Sequence, residues 1–172
     1  MKSATKRHVC SAILAFTLAA CDSGGATNAD NERAMEDLAA KQGLDVDVTV
    51  GDAGEPEKIA INSGHGQVGM GLDLPSGFPS GVILPDDWKI MAATTPLPDS
   101  TSVQALVEQP AEDILASVRQ RMEAAGWPET SFSQMTPQIS QISFEKSELM
   151  MSYTITDNGA TQMVAILTMP KP

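Results

Sequence analysis

Basic residues are few in this chain. Eleven Lys and Arg stand against 22 Asp and Glu, which leaves a formal net charge of −11 and a pI near 4.4. Phosphate backbones are gripped by Lys and Arg, so this balance argues against a nucleic-acid partner. Cysteine and histidine number two each, too few for most multi-ligand zinc sites or disulfide scaffolds. Aromatics make up only 4%. With 42% apolar and 19% charged residues the chain is still foldable and globular rather than wholly disordered. Its 172 residues suit one domain or two very small ones. The apolar run from Val9 to Ala20, about twelve residues broken by Cys10, Ser11 and Thr17, is short of the roughly 20 that a mature membrane-spanning helix takes.

That run has the length of a signal-peptide core. Lys2, Lys6, Arg7 and His8 precede it, and Leu18-Ala19-Ala20-Cys21 closes it. An aliphatic residue, two small residues and a cysteine in this order resemble the lipobox of bacterial lipoproteins. The resemblance covers the leader, about an eighth of the chain, and says nothing of the folded part. It implies cleavage before Cys21 and lipidation there: diacylglycerol on the thiol and an acyl chain such as palmitate on the freed amine. Two or three chains anchor stably where one anchors only marginally. Asp22 resembles the residue that keeps lipoproteins of enteric bacteria in the inner membrane. That sorting rule varies between bacterial groups, so Asp22 tilts toward the inner membrane and leaves the choice open. The expected location is the cell envelope, lipid-anchored and facing the periplasm. Cleavage removes residues 1–20 with three basic residues, which takes the net charge to −14 and leaves one cysteine, Cys21, and one histidine, His65. Anionic head groups would repel such a body, so the lipid must do the anchoring.

Residues 21–30 read as the lipidated cysteine and a short Gly/Asn/Ser-rich tether. Residues 31–71 read as a helix plus a three-strand meander. Asp30 or Asn31 is placed to cap the helix and Gly43 to end it. Leu44–Val50 alternates apolar and polar with period two, and Lys58–Ile61 and Gln67–Met70 follow after turns. Residues 72–87 form a Pro/Gly-rich crossing segment in which Pro75, Pro79 and Pro85 bar a regular helix. Phe78, Val82, Ile83 and Leu84 make it apolar enough to lie against a core. Residues 88–172 read as a β-β-α-β-β-β domain. Its helix, from Pro110 to Gly126, carries Ile114, Leu115, Val118 and Met122 on one stripe. The fold class expected is α+β: an antiparallel sheet covered on one face by an amphipathic helix, preceded by a small helix-plus-meander unit.

Few side chains point to chemistry. Gly64-His65-Gly66-Gln67-Val68-Gly69 matches G-x-G-x-x-G, but Gly71 and Pro75 follow it where a dinucleotide site needs a helix. His65, between two glycines, reads as a turn residue without an orienting carboxylate. No serine sits in a G-x-S-x-G elbow. Asp45 and Asp47 share a strand face, which offers oxygen ligands for a weak metal site or simply a solvated face. The methionines suit Cu(I) or a flexible core. Phe78, Ile83 and Trp88 form a candidate partner surface if exposed, and core if buried. No cofactor is expected. The expected function is a membrane-anchored, non-enzymatic interaction or scaffold module for an envelope protein partner. The alternatives are a small-ligand or metal-binding protein and, further off, a hydrolase.

Overall fold

The computed structural model describes residues 27–82 and 84–171. The leader, Cys21, Asp22 and Ile83 lie outside these residues. The first helix, α1, spans Asn28–Ala40. It begins three residues earlier than the sequence reading because Thr27, not Asp30 or Asn31, is its cap. Thr27 Oγ1 accepts the Asp30 amide at 3.3 Å, and the Asp30 carboxylate accepts the Thr27 amide at 3.0 Å. This reciprocal capping box satisfies two helix-end donors, and donation from the Thr27 amide, joined by the Thr27 hydroxyl at 2.8 Å, holds the Asp30 carboxyl below its usual pKa.

Nine strands and a second helix follow: β1 Val46–Val50, β2 Pro56–Ser63, β3 Gly66–Met70, β4 Lys89–Thr94, β5 Thr101–Val107, α2 Ala111–Ala124, β6 Glu129–Thr136, β7 Ile139–Lys146, β8 Leu149–Asp157 and β9 Gln162–Pro170. All neighbours pair antiparallel in one sheet of order β1-β2-β3-β4-β5-β9-β8-β7-β6. The fold is therefore α+β, with far more sheet than helix. Two meanders run toward each other. β1 to β5 lead from one edge to the middle, α2 carries the chain to the far edge, and β6 to β9 lead back. The seam is β5–β9, with seven register pairs from Thr101↔Thr168 to Val107↔Gln162. The expected meander joins the rest through β3–β4, where Gly66↔Thr94, Gln67↔Ala93 and Val68↔Ala92 pair. Gly69 is needed inside this hairpin stack because a Cβ there would collide with the Ile59 carbonyl oxygen.

The core lies on one side of the sheet. Ala93, Val103, Ile166, Tyr153 and Ile142 are successive register partners from β4 to β7, and all are buried. Ile114, Val118 and Met122 of α2 enter the same cluster, as do Phe78, Val82 and Trp88 from the segment between β3 and β4. That segment is built from three proline-led turns. The Pro75, Pro79 and Pro85 carbonyls accept the amides of Phe78, Val82 and Trp88 at 2.8, 3.0 and 3.1 Å. Each proline is the first residue of a four-residue turn with Ser76-Gly77, Ser80-Gly81 or Asp86-Asp87 at its centre, and each turn closes on a side chain that the core buries. Phe78 and Trp88, 9% and 6% exposed, are therefore core residues and not a partner surface. Apolar burial wins here because each large ring removed from water stabilises the fold by about 2 kcal/mol.

The sequence reading also lacks β6. Its eight residues, ETSFSQMT, are all exposed, so no alternating apolar set marks it. Pairing with β7, not burial, holds it in the sheet. Two bulges, between Glu129 and Ser131 and between Gln134 and Thr136, bend this edge strand.

Candidate functional site

A cleft lies between α2 and the β6 edge. Pro110 opens α2, with Glu112 and Asp113 in the first turn, where the helix dipole favours carboxylates. The stripe Ile114-Val118-Met122 is sunk in the core, which turns the adjacent ridge of Leu115, Arg119 and Glu123 along β6. Arg119 crosses the gap. Its Nε and Nη2 donate to the two Glu129 carboxylate oxygens at 2.9 and 3.2 Å. Its guanidinium also stands 4.9 Å from the Phe132 ring centroid. A bidentate ion pair plus a cation–π contact fixes a planar side chain well, and the Glu129 carboxylate raises the Arg119 pKa further.

This clamp divides the groove. Toward the start of α2 lies a cavity of about 590 Å³, lined by Glu108, Glu112, Leu115, Phe132, Gln134, Gln138, Asp157 and Gln162 among others. Toward its end lies one of about 500 Å³, lined by Arg119, Glu123, Trp127, Glu129 and Phe144 among others. Several polar groups of the first cavity are already committed. Gln162 is buried, accepts the Asn158 amide at 3.1 Å and donates to the Gly159 carbonyl at 2.8 Å, which pins the β8–β9 turn. Glu108 takes the Lys89 ammonium at 2.9 Å, and that bond lowers its pKa. Glu112 remains an exposed carboxylate beside side-chain amides, and Asp157, also exposed, accepts the Gly159 amide on Oδ1 at 2.9 Å. Such a lining can hold a neutral polar or cationic group. Among the described residues it includes no histidine or cysteine.

The candidate residues from the sequence lie elsewhere. Asp45 and Asp47 do come together at β1, as period-two spacing requires, but an amide joins them. Asn62 Nδ2 donates to Asp47 Oδ2 at 2.9 Å and to Asp45 Oδ1 at 3.4 Å, and Gln67 Nε2 donates to Asn62 Oδ1 at 2.8 Å. The Asn62 amide thus supplies the positive pole that a cation would bring. No group of three or more His, Cys, Asp or Glu is gathered for a metal among the described residues. His65 is exposed in the β2–β3 turn, and Gly64–Gly69 runs into strand β3 rather than a helix. Cys21, Asp22 and Ile83 lie outside the described residues. The Arg119–Glu129–Phe132 clamp escaped the sequence reading because its members lie on a helix flank and an edge strand without apolar periodicity. The cue in the sequence was the i, i+4 ridge of Leu115, Arg119 and Glu123 beside the apolar stripe.

No protein-family model, curated protein or solved structure matches the chain.

Proposed function

We propose that this chain is a lipid-anchored protein of the bacterial envelope whose body serves as a non-enzymatic interaction or scaffold module. The observation that carries the reading is the leader: a basic head, a short apolar core and Leu18-Ala19-Ala20-Cys21. The structure adds a distance constraint. Thr27, six residues after Cys21, already caps α1, so a lipid on Cys21 would hold the body within about 20 Å of the bilayer. In this reading α2 closes one face of the sheet, and the α2–β6 groove and the opposite face are left for partners in the periplasm. Asp22 tilts the location to the inner membrane.

The test compares wild type with Cys21→Ala by intact mass and fractionation. The expected wild type carries the added mass of acyl chains and sediments with membranes, and the variant does neither. An unmodified, soluble wild type would overturn the anchor. A second reading, capture of a small polar or cationic ligand, is favoured by the 590 Å³ cavity beside Glu112 and Asp157, which is within the size range of ligand pockets. A thermal shift on adding cations or polyamines that disappears in Glu112→Ala would support it.

A further inference from the structure

Four asparagines stand in the chain, and one of them is followed by glycine. Asn28-Ala29 and Asn31-Glu32 lie in α1, and Asn62-Ser63 lies in β2, where helix and ladder fix the backbone. The Asn28 side chain donates to the Gly51 carbonyl, and that of Asn62 to Asp45 and Asp47. Asn158-Gly159 is placed differently. It sits in the loop between β8 and β9, and both residues are exposed. Gly159 has a φ of +89°, with open space where a Cβ would stand. Its amide donates to Asp157 Oδ1 at 2.9 Å, a side chain bonding the backbone two residues on. Gln162 straps the loop, but it grips the Asn158 amide at 3.1 Å and the Gly159 carbonyl at 2.8 Å. The strap holds neither the Gly159 nitrogen nor the Asn158 side chain.

We propose that Asn158 is a site of spontaneous deamidation, which adds a carboxylate beside the cavity at the start of α2. The Gly159 nitrogen attacks the side-chain carbonyl carbon of Asn158. A bond forms between them, the bond from that carbon to Nδ2 breaks, and the Gly159 amide proton leaves with Nδ2 as ammonia. Water then opens the cyclic imide at either carbonyl, giving aspartate or isoaspartate. The sum is one water consumed and one ammonia released. Glycine suits the step because no side chain shields the attacking nitrogen. Nucleophile and carbonyl belong to neighbouring residues, so the step is unimolecular. The Asp157 carboxylate already sits on the proton that must leave, within reach of a general base. The consequence falls on the cavity. Asp157, Gly159 and Ala160 line it together with Glu112, so the new carboxylate deepens the negative potential there. Isoaspartate also adds a methylene to the main chain between the two ends of the Gln162 strap. The acidity of this cavity therefore grows with the age of the molecule.

Ageing the full chain in non-ionic detergent near neutral pH tests this, with peptide mapping by mass spectrometry. Asn158 is expected to convert first of the four asparagines, to a mixture of isoaspartate and aspartate. The rate should rise with pH, because the attacking amide must lose its proton. Gly159→Ala is expected to slow conversion at least about tenfold. Asn158→Gln keeps the glycine and should abolish the more acidic species that ion exchange resolves from the fresh protein. Asp157→Asn leaves an oxygen for the Gly159 amide but no base, and should slow conversion about threefold or more. An unchanged rate in that variant would overturn the part given to Asp157. Asn158 intact while Asn31 or Asn62 converts, aspartate formed without isoaspartate, or an unchanged rate in Gly159→Ala would each overturn the site. So would conversion at least about tenfold slower in the folded chain than in the urea-unfolded one, because the loop would then protect Asn158. None of these outcomes touches the anchor, because acylation of Cys21 is read separately by mass.

Discussion

Tyr153 shows how much one buried side chain can report. It is the only tyrosine in the chain, its ring meets Phe144 edge-on at 6.0 Å, and its hydroxyl donates to the Met122 sulfur at 3.5 Å. A thioether is a weak acceptor, so it does little to favour the phenolate, and burial drives the Tyr153 pKa well above the ordinary tyrosine value. The linkage has a definite sign. Above pH of about 10 the unfolded chain releases this proton while the folded chain keeps it, so stability falls as pH rises past that point. Spectrophotometric titration is expected to show no phenolate until the protein unfolds. In Tyr153→Phe that alkaline loss should shrink, at a cost of about 1 kcal/mol or less near neutral pH, because the bond lost is weak. A normal phenolate titration in the folded protein would contradict this burial.

At the scale of elements, the two sheet edges are managed differently. Along β1 the α1 side chains close the edge: Glu32 accepts the Val50 amide at 2.8 Å and Glu36 accepts the Val48 amide at 3.2 Å. Along β6 the edge is blunted by its two bulges instead. Replacing Glu32 and Glu36 together by Ala should cost about 1–2 kcal/mol and speed amide exchange at Val48 and Val50. The Gln pair should keep most of that protection, since an amide oxygen still accepts. Loss of protection in both pairs alike would mean charge, not the edge bonds, matters. These edges also mark what was legible in the sequence. β1, β8 and α2 were readable because burial imposes a period on them. β6 was not, because nothing buries it. The start of α1 hid in Thr27, inside what read as tether. The crossing segment was read as apolar and proline-broken, but its device, a proline three residues ahead of each buried side chain, shows only when the turns are seen. The carboxylate pair was foreseen as neighbours, whereas the Asn62 amide between them came from a strand whose polar residues carry no period.

For the whole molecule, charge and topology set the terms. A chain at −11 folds against its own repulsion, with few ion pairs among the described residues, such as Lys58–Asp73 and Lys171–Glu145, to offset it. Raising salt from about 0.01 to 0.5 M should therefore raise Tm by several degrees. A Tm that falls with salt would show the surface pairs to outweigh the repulsion. The β5–β9 seam has a kinetic consequence. β5 pairs with a strand that follows every other in the chain, so until β9 arrives β5 is a temporary edge and the stripe of α2 has only part of a floor. Closing contacts between positions as distant as 101 and 168 is slow compared with forming a hairpin. Maturation cannot proceed strand by strand as the polypeptide emerges. The first five strands must wait with an open flank, and a folding assistant would find its longest opportunity there.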